Sequence, residues 1–208
     1  MAQISEKLKA IYPESVCALE YGGEPWRLLV MARLSAQCTD ARVNIVCREL
    51  FKRYPTLEDM ADADISELEE LVRPCGLFRT KADSIKRTAV MLREEHGGKV
   101  PDTMEELLAL PGVGRKIANL ILGDIYGRGG IVADTHCIRI CGRFGMYDTS
   151  LKDAYKVERI ISELLPTEEQ SDFCHRIVQF GRDVCTARSP KCETCPISRL
   201  CGYGSDNK

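Results

Sequence analysis

The last quarter of the chain holds four cysteines at a tight, uneven spacing: Cys185, Cys192, Cys195 and Cys201, or C-x6-C-x2-C-x5-C. Four thiolates within seventeen residues can close around one metal centre. The N-terminal run MAQISEKLKAIYPES is charged and has no apolar h-region, so export is not expected, and disulfides are not the expected purpose of these thiols. Two centres compete, a tetrahedral zinc site and a cubane iron–sulfur cluster. The 6-2-5 spacing fits neither common zinc-finger pattern.

At 208 residues the chain can build one large domain or two small ones that share a core. No apolar run approaches the roughly 18 residues of a membrane span. Seven further cysteines, Cys17, Cys38, Cys47, Cys75, Cys137, Cys141 and Cys174, sit mostly among apolar neighbours and read as buried free thiols, which fits a reducing cytoplasm. The net charge of −2 does not announce a nucleic-acid binder, but its distribution is uneven. Thr56 to Val72 carries seven acids and no base, whereas Cys174 to Cys201 carries five bases (Arg176, Arg182, Arg188, Lys191, Arg199) against two acids. One basic face on an acidic body is compatible with this pattern, as is a solvated helix in each segment.

The chain reads as almost entirely helical. Apolar residues recur at helical spacing over Leu28–Ser35, Val43–Phe51, Ile65–Val72, Ser84–Glu95 and Tyr155–Leu165, and no alternating strand or Asn-Gly turn appears. Thr103 and Glu106 form a candidate capping box. Breaks fall at Gly22-Gly23, Pro55-Thr56, Arg73-Pro74, Gly97-Gly98, Gly127–Gly130 and Pro166. The segment Arg27–Ala36 reads as a core helix in which Arg33 needs a carboxylate or a way to the surface. The fold class expected is all-α.

The richest segment is Leu110-Pro111-Gly112-Val113-Gly114-Arg115-Lys116. Pro111 ends one helix, the two glycines permit a tight turn with exposed amides, and a second helix begins near Arg115. Bare amides at a helix N-terminus form an anion site, and a DNA phosphate is a suitable guest. Lys116 lies in the first turn of that second helix, where an uncharged amine could attack carbonyl or glycosidic carbon and a charged one could contact phosphate. Asp134, in Val132-Ala133-Asp134-Thr135-His136, reads both as the N-cap of the next helix and as a carboxylate that can face a substrate. His136 reads as a structural or phosphate-contacting group.

Together, Leu110–Lys116, Val132–His136 and the four-cysteine loop resemble the endonuclease III family of helix-hairpin-helix DNA glycosylases. Leu34–Asp40 and Gly76-Leu77 share in the resemblance, which spans most of the chain in order. It implies two helical lobes with a cleft between them: a six-helix barrel over 18–128 with its helix-hairpin-helix near 104–125, and a discontinuous lobe, 1–17 with 129–208, whose loop 185–201 holds a [4Fe–4S] cluster on Cys185, Cys192, Cys195 and Cys201. It makes Lys116 the nucleophile and Asp134 its carboxylate partner. Gln37 and Leu77 fall where the family inserts side chains into the space of a flipped base, though Leu77 also reads as a core residue. Further DNA contacts are implied at Gly112, Val113, Gly114, Arg115, His136, Arg182, Arg188 and Lys191. Cys38 stands where an alanine is usual and Ala133 where a valine is usual, which bears on the pocket rather than the chemistry.

The activity this resemblance implies is that of a bifunctional DNA glycosylase and AP lyase of base excision repair. Such an enzyme removes oxidised pyrimidines from damaged double-stranded DNA and cuts the strand by β-elimination through a lysine Schiff base. It is expected to act as a cytoplasmic, nucleoid-associated monomer with no membrane partner. A monofunctional mismatch or adenine-type glycosylase of the same superfamily is one alternative. A non-enzymatic DNA-binding iron–sulfur protein is another.

Overall fold

The computed structural model describes residues 1–203. Among them every regular element is a helix: α1 (Ala2–Ile11), α2 (Pro25–Leu34), α3 (Asp40–Arg53), α4 (Leu57–Ala61), α5 (Ile65–Val72), α6 (Phe78–Glu95), α7 (Met104–Ala109), α8 (Arg115–Asp124), α9 (Thr135–Arg143), α10 (Ala154–Leu164) and α11 (Gln170–Asp183), with short 3₁₀ turns between some of them. The protein is all-α, as its periodicity requires. Two compact units divide the chain, one of residues 18–126 and one joining 1–17 to the chain from 127 onward.

Helix starts in both units follow local chemistry. Thr39, Asp64, Asp134 and Asp153 each accept an amide of the first turn on a side-chain oxygen, at α3, α5, α9 and α10. Thr56 and Asp59 form a full capping box at α4. Thr103 caps α7 through the Glu106 amide, and its hydroxyl donates to the Glu106 carboxylate at 2.6 Å. α2 starts instead on Pro25, which has no amide to satisfy.

In the 18–126 unit, α2 lies mostly inside: Leu28, Leu29, Met31 and Leu34 are almost fully buried. α6 packs against α4 and α5 with Ala82, Ile85, Ala89 and Leu92 on its inner face. The acidic run over α4 and α5 is met by bases from neighbouring segments. Arg53 forms a fork with the Glu67 carboxylate at 2.6 and 2.8 Å, and Arg93 reaches Asp62 at 2.7 Å. The Arg53 and Tyr54 hydrogen bonds hold the Glu67 carboxyl below its ordinary range. Arg33 takes no carboxylate among the described residues; its Nε donates to Ser84 Oγ at 2.9 Å and the side chain stays half-buried.

The other unit gathers α1, α9, α10 and α11 around Leu8, Ile140, Val157, Ile161, Phe173, Ile177 and Phe180. Arg176 belongs to this interior and not to a basic face. It is 5 % exposed, donates from Nε to the Tyr12 carbonyl at 3.2 Å, and pairs with Asp172 at 2.8 Å. The charge count of the C-terminal segment therefore overstates its outward-facing bases by one. Of the seven cysteines outside the loop, Cys47, Cys75, Cys137, Cys141 and Cys174 are buried free thiols, while Cys17 and Cys38 are partly exposed.

α9 and α11 approach closely at Gly181. A Cβ there would lie 2.3 Å from His136 Nδ1 and 2.8 Å from Ile140 Cδ1. Gly181→Ala should therefore overpack this contact and lower unfolding stability by about 1–3 kcal/mol, read as a reduced urea midpoint.

Candidate functional site

The residues singled out by sequence fall in both units. In the 18–126 unit the hairpin between α7 and α8 is built on Gly112. Its φ is +76°, and a Cβ would come within 2.4 Å of Arg33 Nε and 3.1 Å of Ser84 Cβ. Only glycine fits both the backbone and the space. Thr88 Oγ1 donates to the Pro111 carbonyl at 3.1 Å and fixes the turn from beneath. Val113 is buried and its amide donates back to Leu110 O at 3.1 Å, so that amide is used inside the turn. Gly114 is the N-cap of α8 and brings no side chain to the first-turn amides. The amides of Gly112, Gly114 and Lys116 have no acceptor among the described residues, and all three residues are exposed. This is an open donor set at the positive end of a ten-residue helix, suited to a phosphate. Arg115 and Lys116 are its first two residues.

Gln37 and Leu77 lie on two other loops of the same unit. Among the described residues they alone, apart from glycines, have positive φ, at 55° and 47°. A left-handed backbone costs an L-residue on the order of 1–2 kcal/mol. Leu77 is also 59 % exposed, which rules out the core role its sequence context allowed. An apolar side chain held outward on a strained backbone needs a function or a firm support. Support comes from Lys81, a residue that sequence reasoning did not single out. It is fully buried, and its Nζ donates to Leu34 O and Ala36 O at 2.8 Å and to Cys75 O at 2.7 Å. Burial draws its pKa down, yet three acceptors at this range call for the three donors of an ammonium. A lysine in line with Ile85, Ala89 and Leu92 on an apolar stripe was the available signal.

In the other unit Asp134 does cap α9, its Oδ1 accepting the Cys137 amide at 2.7 Å. His136, two residues on, is half-buried against Gly181, with its Nδ1 3.3 Å from Arg139 Nη2. α9 also carries the cluster loop. Arg139 donates to the Cys185 carbonyl at 3.1 Å. Arg143 donates to Cys185 Sγ at 3.3 Å, Thr186 O at 2.8 Å and Ala187 O at 2.9 Å, and Cys201 Sγ lies 3.2 Å from Arg143 O. Two arginines one turn apart were visible in the sequence, though not their task. Arg182, Arg188 and Lys191 are exposed on α11 and the loop.

All four loop cysteines line one open pocket, together with Phe144, Phe180, Val184 and Pro190. Burial pushes the Cys195 thiol up, and Cys201, Cys185 and Cys192 add to that shift, as four sulfurs sharing one space should. Among the described residues no three or more His, Cys, Asp or Glu converge on a single ion. The thiols surround a space rather than a point, and an apolar wall with N–H groups directed at sulfur suits a thiolate-bound cluster of several atoms.

Residues 30–167 match the HhH-GPD superfamily base excision DNA repair protein model, and residues 185–201 match the iron-sulfur binding domain of endonuclease III. Over 195 residues the chain is 44% identical to endonuclease III of Synechocystis sp., spanning 93% of this chain and 88% of that protein. A solved non-covalent endonuclease III–DNA complex superposes with a TM-score of 0.91 at 37% identity, covering 99% of this chain and 95% of that one. A trapped endonuclease III–DNA covalent intermediate gives 0.91 at 38%, covering 99% and 97%. The chain belongs to the endonuclease III family. Its cofactor is a [4Fe–4S] cluster, and the four loop cysteines are the residues that fit it.

Arg143→Ala should free the loop backbone at Thr186 and Ala187 and remove the N–H directed at Cys185. The expected result is faster loss of the cluster's visible absorption under chelator, with the far-ultraviolet helical signal of the freshly purified protein unchanged.

Proposed function

We propose that this chain, by family a bifunctional glycosylase and AP lyase of base excision repair, acts on oxidised pyrimidines in duplex DNA, with Lys116 as nucleophile and Asp134 as its carboxylate partner. The observation that carries the reading is the position of Lys116. It is exposed, second in α8, and set among amides open to phosphate. A sugar–phosphate backbone gripped by that turn would bring C1′ near an amine.

The target base must leave the stack before attack, and a pyrimidine that has lost its aromatic face is cheaper to extrude. The Lys116 amine attacks C1′; the glycosidic C–N bond breaks and its electron pair leaves with the base, which takes up a proton. Asp134 stabilises the positive charge that develops on the sugar and helps move protons. Loss of the amine proton and opening of the ring give an iminium. That Schiff base acidifies C2′–H; removal of this proton expels the 3′ phosphate by breaking C3′–O. One lysine thus removes a base and cuts a strand, whereas a water nucleophile would only remove the base.

In this reading Gly112, Gly114 and Arg115 hold phosphate while buried Val113 keeps the turn in shape. Gln37 and Leu77 fill the space of the extruded nucleotide. His136, Arg182, Arg188 and Lys191 contact backbone phosphates beyond it, and the cluster fixes the loop that presents the last two. The working division is 18–128 against 1–17 with 129–208, with nucleophile and carboxylate on different domains, and the enzyme acts as a monomer.

Borohydride trapping on a duplex bearing one thymine glycol should give a covalent protein–DNA band that Lys116→Gln abolishes while still binding the duplex. A trapped band from Lys116→Gln, or base release without trapping by the wild type, would refute the amine mechanism. Asp134→Asn separates the two roles of that carboxylate. Asparagine caps nearly as well as aspartate, so stability should hold to within a few tenths of a kcal/mol, while kcat for base removal falls by about 10² or more.

A further inference from the structure

Gln37 and Leu77 are forty positions apart on separate loops, yet one side chain ties both loops together. Lys81 Nζ donates to Ala36 O, one residue before Gln37, and to Cys75 O, two residues before Leu77. Its third bond goes to Leu34 O at the end of α2, and its own backbone amide donates to Leu77 O at 3.0 Å. The ammonium is fully buried, so no water competes for these carbonyls. The carbonyls of Leu34, Ala36 and Cys75 follow helical turns and point where no further helical amide can reach them. A cation at such an end is doubly suited, as donor and as charge. Remove it and the two loops lose their shared anchor at the places where the chain enters its two left-handed residues.

We propose that Lys81 is a positioning residue for base extrusion: by clamping both loops it holds Gln37 and Leu77 as one rigid pair of wedges, at a fixed separation and on a backbone neither would adopt alone. The proposal rests on the reading that these two side chains enter the duplex. The function of Lys81 is then confined to opening the DNA. It does not touch the sugar or the base, and the amine chemistry of Lys116 proceeds without it once an abasic sugar is presented unpaired.

The test compares two substrates on the cluster-loaded protein. One is a thymine glycol duplex, which must be opened; the other is a single-stranded oligonucleotide with one abasic site, which need not be. Lys81→Met keeps the length of the side chain and removes every donor. Its base removal from the duplex should fall by about tenfold or more, while its borohydride trapping on the single strand stays within about twofold of wild type. Equal losses on both substrates, or none on either, overturn the proposal. Should Lys81→Met fail to fold, Lys81→Arg keeps charge and donors at the wrong reach, and the same duplex-only loss is expected of it.

A Gln37→Ala, Leu77→Ala double variant separates this proposal from the reading beneath it. If the double variant opens duplexes as well as wild type, the wedge reading fails. If the double variant is impaired and Lys81→Met is not, the wedges stand and the role of Lys81 falls. Adding Lys81→Met to the double variant should cost nothing more on the duplex, because a positioning residue has no effect once what it positions is gone; a residue of general structural importance would subtract its loss again.

Discussion

Each helix leaves unpaired amides at one end and unpaired carbonyls at the other. Where the described residues form no sheet, the partners found by those groups decide which parts of the surface are inert and which are open. Here Thr39, Thr56, Asp64, Thr103 and Asp153 close the N-termini of α3, α4, α5, α7 and α10 with their own side chains. α8 begins on Gly114, which closes nothing. The amides left open there follow a turn that only glycine can make at position 112, and the proposed nucleophile stands beside them. The same logic at carbonyl ends explains the buried cation at position 81.

Much of this was legible in the chain. Helical periodicity located α2, α3, α5 and α10, the Pro-Gly-Val-Gly run located the hairpin, and the capping potential of Asp134 was visible before Thr135. α6 was seen only in part. Its apolar stripe was read from Ser84, but the helix begins at Phe78. Leu77 is its N-cap, a residue with no capping oxygen and a left-handed backbone, so the usual start signals were missing. With the first turn went Lys81, hidden because its partners are carbonyls thirty or more residues away at two of three bonds. Arg176 was misplaced for a related reason. A base in a basic stretch looks solvated until the packing of α1 on α11 shows that it is needed inside.

The electrostatics follow from the same distribution. The acids of α5 are answered by Arg53, Arg73 and Arg79, and Asp62 beyond α4 by Arg93. Those pairs are surface pairs and add little stability, but they cancel repulsion that would otherwise meet an approaching polyanion. Exposed cations stand at Lys116 on the hairpin and at Arg188 and Lys191 on the cysteine loop. A net charge of −2 is no obstacle to holding DNA, because phosphate contact depends on where cations and open amides stand and not on the total charge.

The arginines of α9 and the lysine of α6 share one trait: most of what they hold is main chain. The acceptors for Lys81 are the carbonyls of residues 34, 36 and 75, and Arg143 holds those of 186 and 187. A carbonyl survives almost any codon change at its own position. The side chains at those acceptor positions can drift through generations without loosening the clamp, and the genetic vulnerability of each loop is concentrated in the one codon that supplies its cation.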